Sequence, residues 1–165
     1  MDEKLDLDRI AALMRSLSPD IVAVQEVDSV VQRTDGMDQA EVLGRLTGMR
    51  HLFGAFMPYQ GGGYGMALLS RLPVEEWWNH RLPDGDEPRT AVTARVRLRS
   101  GRTLVLSGIH FYRTEEERLA QVNRLLEHLA SESGPVVHRT LVKPFNLKDL
   151  RSAAAAALGE HPDTG

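Results

Sequence analysis

Two side chains stand where a folded chain can use them for chemistry. Glu26 follows the apolar run Ile21-Val22-Ala23-Val24 and Gln25. A carboxylate at the carboxyl end of a buried strand is a common place for a ligand or a catalyst. The alternative at that position is a surface glutamate opening a loop. His110 closes a second apolar run, Leu104-Val105-Leu106-Ser107-Gly108-Ile109. An imidazole there is either a catalyst or a hydrogen-bonded structural residue. Gly61-Gly62-Gly63 matches neither the nucleotide-binding loop nor the dinucleotide fingerprint, so it reads as a flexible turn. Trp77-Trp78 could stack a base, but neighbours on a strand point to opposite faces, which gives one buried and one partly exposed ring. No helical His-Glu-x-x-His and no Gly-x-Ser-x-Gly occurs, which removes zinc peptidase and serine hydrolase readings. With no cysteine, disulfides, thiolate catalysis and cysteine-bound metal are excluded.

Those residues need elements to carry them. Leu5, Leu7, Ile10, Leu13, Met14 and Leu17 recur at helical spacing and predict a helix over about 6 to 17, ended by Ser18-Pro19-Asp20. Residues 21 to 24 are β-branched and apolar on both faces, which suits a strand buried inside a sheet. A polar loop to Gly36 and a helix over about 38 to 47 follow, closed by Thr47-Gly48. Strands are expected at 51–57, 64–70, 74–79, 91–98 and 103–110, with Ser100-Gly101 making a hairpin between the last two. Thr93, Arg95, Arg97 and Arg99 alternate with Ala94, Val96 and Leu98, so that strand should show one face to water. A long helix over about 115 to 132 carries Leu119, Val122, Leu125, Leu126 and Leu129 on one stripe. Val136-Val137 then opens an extended segment, and Ala153 to Ala157 favour a last helix.

The 165 residues fit one domain, 1–165, large enough to bury a core without metal or disulfide staples. Lys+Arg 20 against Asp+Glu 23 gives −3, which lends no support to a strong polyanion binder. The arginines between Arg81 and Arg124 leave a general nucleic-acid binder as a minor reading. No apolar run reaches the roughly 20 residues of a transmembrane helix. The acidic, amphipathic start MDEKLDLDRI is not a secretory signal, so a cytoplasmic protein is expected.

The order of the segments is more specific than any one of them. DLDRIAALMRSLSPDIVAVQEVD (6–28), Arg33, Asp38-Gln39, LTGM (46–49), GGGYGMALLSRLPV (61–74), EPRTAV (87–92), GRTLVLSGIHF (101–111) and Arg118-x-x-Gln121 form one series. Over residues 5 to 137 that series resembles the endonuclease/exonuclease/phosphatase superfamily, which shares the fold of pancreatic deoxyribonuclease. The resemblance implies an α+β fold, a β-sandwich flanked by helices in four α/β/β/α layers. This chain would hold roughly its first half, one mixed sheet with helices on its outer face. It implies that Glu26 holds a divalent metal, Mg2+ or Mn2+, and that His110 faces the scissile phosphate. Magnesium takes oxygen ligands and keeps several waters, so one carboxylate plus substrate phosphate can suffice. Such an ion offsets charge on phosphoryl oxygens, and an imidazolium donating to one of them adds to that effect. Arg118 and Gln121 match the helix pair near that site, as supporting residues.

The pattern also departs from the family. The usual first strand, with its metal-binding Asn, would precede residue 5, and the closing Ser-Asp-His signature is absent. After PVV (135–137), where Gly-Asp-x-Asn is usual, Lys143-Pro144 precede Phe145-Asn146, so Asn146 alone carries over as a catalytic candidate. Residues 138–165 diverge, and His138 is the one conceivable replacement base there. A metal-dependent phosphoesterase with an incomplete catalytic set is the leading expectation, acting on nucleic acid, phospholipid or inositol phosphate. A non-catalytic scaffold or binding module is the alternative. A half-fold would leave an apolar sheet face open, and self-association through it is expected.

Overall fold

The computed structural model describes residues 5–133. The chain divides into two compact units, Met1–Leu129 and Ala130–Gly165. Val136-Val137, His138, Asn146 and the alanine run Ala153–Ala157 lie outside the described residues. Among the described residues there are three α-helices, α1 (Leu7–Leu17), α2 (Gln39–Thr47) and α3 (Glu115–Ser133), and six strands. The strands are β1 (Ile21–Ser29), β2 (Arg50–Tyr59), β3 (Gly62–Ser70), β4 (Val74–Arg81), β5 (Thr90–Arg97) and β6 (Thr103–Ile109). None of the described helices is long and apolar enough to cross a membrane.

Capping fixes the first two helices where the sequence expects them. Asp6 accepts from the Arg9 N–H at 2.9 Å, and Asp38 accepts from the Glu41 N–H at 2.9 Å. Each bond satisfies a helix N–H that has no partner within its own helix. Helix α1 stops at Ser18 in a left-handed turn before Pro19, and α2 stops at Gly48.

The α+β sandwich of the sequence reading is present, but it is divided differently. Among the described residues there is no single mixed sheet. β1-β3-β2 form one antiparallel sheet and β4-β5-β6 another. The switch lies in Arg71-Leu72-Pro73, where the Ser70 hydroxyl bonds both the N–H and the carbonyl of Leu72 and turns the chain out of the first sheet. Leu52, Met66 and Leu68 of the first sheet pack on Val92, Ala94 and Val96 of the second. The inner face expected to lie open is therefore covered by strands of the same chain. Asn79 and Arg81 of β4 add bonds to the carbonyls of Ala55 and Phe56 on β2.

Helices α1 and α2 cover the far side of the first sheet through Leu7, Ala11, Leu43, Met49 and Leu69. Asn79 reaches β2 from one face of β4, so its neighbour His80 points to the other face, where its ring stacks on His128 of α3 at 4.4 Å. The layers run α/β/β/α. Two details depart from expectation. β1 pairs only with β3 among the described residues, and Ala23 on it is exposed. Thr93 is buried with its hydroxyl 2.7 Å from that of Ser107, while Arg95 and Arg97 form ion pairs with Glu76 and Glu75.

Candidate functional site

β1 does not end at Glu26. It continues to Ser29 through a bulge in which Gln25 and Glu26 oppose the single residue Met66 of β3. A bulge leaves the extra residue unpaired and re-aims its side chain. Glu26 takes φ +57°, the left-handed region, and its carboxylate is 63% exposed. Next to the bulge on the partner strand, Gly65 lies close against β2. A Cβ there would meet the Gly54 carbonyl oxygen at 2.1 Å and the Ala55 Cα at 2.8 Å.

Across the sandwich, β6 ends at Ile109 and delivers His110. Gly108 lets this happen, since a Cβ on it would crowd Met66, Leu68 and Ala23 of the first sheet. Gln25 Nε2 then donates to the Ile109 carbonyl at 3.0 Å and ties the two strand ends together. Side by side at that junction, the His110 Nδ1 and a Glu26 carboxylate oxygen lie 3.9 Å apart. A charged imidazolium at that separation attracts the carboxylate without a direct hydrogen bond. Tyr64, on β3, feels the same charge: burial first and then the Glu26 carboxylate push its hydroxyl above the usual range.

The other candidates act at one remove. Gln121 is fully buried, and it accepts from the Tyr112 N–H at 3.1 Å and donates to the Pro83 carbonyl at 3.3 Å. It thus fixes the chain two residues beyond His110. Arg118 donates to the Arg113 carbonyl. Asn146 is outside the described residues.

Three features escaped the sequence reading. The first is Gln25, whose bond to Ile109 joins residues 84 positions apart. The second is Asp28, buried and gripped at both carboxylate oxygens by Arg33 at 2.7 Å, with Arg33 stacked on Tyr59 and Tyr64. The hydrogen bond to Asp28 raises the Arg33 pKa further. The third is Arg89, buried beside Phe56 and Tyr112 and paired with Glu87 at 2.9 Å. A charged pair spaced five residues apart after a strand was the available signal for Asp28 and Arg33. Gly61-Gly62-Gly63, read as a turn, splits between a turn at Gln60-Gly61 and the start of β3.

Among the described residues no three His, Asp or Glu side chains gather to hold a metal ion. The donor that is present, one exposed carboxylate, matches the sparse set Mg2+ accepts when substrate phosphate and water complete its shell.

Residues 1–137 match the model of the Endonuclease/Exonuclease/phosphatase family. No curated protein matches the chain. Solved structures do. An endonuclease/exonuclease/phosphatase from Beutenbergia cavernae is 20% identical with TM-score 0.65, over 93% of this chain and 48% of that one. A functionally unknown conserved protein from Enterococcus faecalis is 18% identical with TM-score 0.64, over 76% and 52%. TDP2 from D. rerio, complexed with single strand DNA product, is 19% identical with TM-score 0.55, over 81% and 51%. The chain spans about half the length of these structures.

Proposed function

This chain belongs to the endonuclease/exonuclease/phosphatase family, and from that membership we propose that it serves the hydrolysis of phosphoester bonds, with Glu26 and His110 as its working side chains. The observation that carries the reading is their meeting at 3.9 Å at the joined ends of β1 and β6. Glu26 would hold a divalent cation, Mg2+ or Mn2+, by its exposed carboxylate. When bound, that ion supplies positive charge beside the phosphoryl oxygens. His110, as imidazolium, donates a hydrogen bond to a phosphoryl oxygen while negative charge builds there. Such a preorganised donor typically contributes about 10²–10³ in rate. Tyr64 keeps its proton at neutral pH and stays a neutral neighbour of the carboxylate. Gln121 and Arg118 hold the chain after β6 so that His110 has a fixed origin. Asn146 is carried in the same reading as a further polar donor.

Nucleic acid, phospholipid and inositol phosphate all present the phosphoester this pair would face. The likeness to a TDP2 bound to single strand DNA product supports nucleic acid among them. The test is hydrolysis of bis-p-nitrophenyl phosphate and of single-stranded DNA with Mg2+ or Mn2+, in wild type, Glu26→Gln and His110→Ala. Each variant is expected to lose about 100-fold or more, and chelation should abolish the rate. Equal rates in wild type and Glu26→Gln would remove the proposal and leave a scaffold without catalysis.

A further inference from the structure

Glu26 holds a backbone conformation that its residue type disfavours. Its φ of +57° strains any residue with a Cβ, and such strain persists only where the surroundings impose it. On the upstream side the restraint is Gln25, bonded to Ile109. The downstream restraint is stronger. Two residues on, Asp28 is 2% exposed, and its N–H donates to Gln39 Oε1 at 3.0 Å. Both its carboxylate oxygens accept from one guanidinium, Arg33 Nε to Oδ2 and Nη2 to Oδ1, each at 2.7 Å.

Arg33 is itself held at its backbone and against two aromatic rings, although its side chain is 43% exposed. Its backbone N–H donates to Gln60 Oε1 at 3.0 Å. Its guanidinium lies 4.7 Å from the Tyr59 ring centre and 5.1 Å from that of Tyr64, the register partner of Asp28 on β3. Asp28 is buried but the Arg33 side chain is partly exposed, so water screens the attraction and the pair adds modest stability. A planar two-donor fork is good at fixing geometry.

We propose that Arg33 is a positioning residue: its grip on Asp28 locks the β1 bulge, and with it the left-handed Glu26, so that the carboxylate stays beside His110. The consequence for metal binding rests on the function proposed above, whereas the conformational claim stands without it.

The experiment uses the full chain, isotope-labelled for NMR, with Mn2+ alone as probe. Arg33→Lys keeps a cation opposite Asp28 but removes the fork. Two readouts are followed, the backbone conformation at residue 26 from its Cα shift and HN–Hα coupling, and line broadening of neighbouring amides as Mn2+ is added. Leu43→Ala, which weakens the core beneath α1 and α2, serves as a control for stability alone. In Arg33→Lys the left-handed signature should vanish and Mn2+ affinity should fall about 10-fold, the size typical of residues that orient a ligand. Leu43→Ala should change neither. Should Arg33→Lys lose its cooperative transition, Asp28→Asn replaces it, keeping the shape and one acceptor. A folded Arg33→Lys or Asp28→Asn protein with residue 26 unchanged overturns the proposal, as does the same loss in Leu43→Ala. Broadening that is absent in wild type, or indifferent to Glu26→Gln, sinks the metal reading instead and leaves the residue-26 signature to judge Arg33.

Discussion

Acidification should loosen α3 through a histidine that the fold keeps neutral. His80 is 6% exposed on the outward face of β4, its ring stacked on His128 at 4.4 Å and 18°, with Trp78 parallel at 6.3 Å on its own strand. Arg95 lies over that tryptophan, 5.2 Å from its ring centre. Burial first, and then His128, lowers the His80 pKa from 6.5 to about 4. Between those values the unfolded chain binds a proton that the folded chain refuses. Stability is therefore complete above pH 6.5 and lost as pH falls toward 4. At ~1.4 kcal/mol per pH unit the whole loss is about 3 kcal/mol, a large share of the ~5–15 kcal/mol typical of a domain. Carboxylates add their own acid dependence, so the quantity to read is a difference. Urea unfolding of wild type and His80→Phe would be compared from about pH 7.5 to about pH 4.5, followed by circular dichroism and tryptophan fluorescence. Relative to His80→Phe, wild type should be pH-independent above about 7 and lose ~1.4 kcal/mol per unit below about 6. Parallel curves across the range would refute the reasoning. The functional consequence follows from Gln121, which rides on the same helix and holds the Tyr112 N–H.

Gly65→Ala should cost about 2–3 kcal/mol in urea unfolding, because the added Cβ meets backbone that cannot rotate away. A loss under ~0.5 kcal/mol would mean that β2 at Gly54-Ala55 gives way to the methyl group. Gln121→Leu removes partners from two backbone groups and should cost about 2–4 kcal/mol, with faster amide exchange at Tyr112; unchanged exchange would contradict its role. Self-association has lost the inner sheet face as its surface, but Leu13 and Leu17 on α1 are 61% and 72% exposed. If these residues drive association, sedimentation should show a Leu13→Glu/Leu17→Glu chain as monomer and wild type as larger, whereas identical sedimentation coefficients would reject α1 as the interface.

The helices and strands were legible because their signals are local. Asp6 and Asp38 cap where a periodic apolar stripe begins, and Ser100-Gly101 turns the chain between β5 and β6. Partnering between strands was not legible. Nothing in Arg71-Leu72-Pro73 announces that β3 and β4 belong to different sheets, because that choice depends on which apolar faces meet across the core. β1 read as ending near Glu26 for a related reason. The residues beyond it, Val27 and Asp28, look like a loop until Arg33 and Gln39 are seen to satisfy the buried aspartate.

The same division applies to the site. Residue types at 26 and 110 announced chemistry, but neither position says that the two strand ends meet. That depends on a close approach of β6 to β1 and β3, which the missing side chain of Gly108 permits. Gln25 then converts that approach into a fixed register by bonding Ile109. Both residues look unremarkable in sequence, one a glycine in an apolar run and the other an amide beside an acid. Their importance is geometric, since a shift of one residue along β6 would turn His110 to the other face of the sheet. The carboxylate and imidazole are thus specified locally by their own identities, and their pairing is specified by two neighbours that take no part in the chemistry.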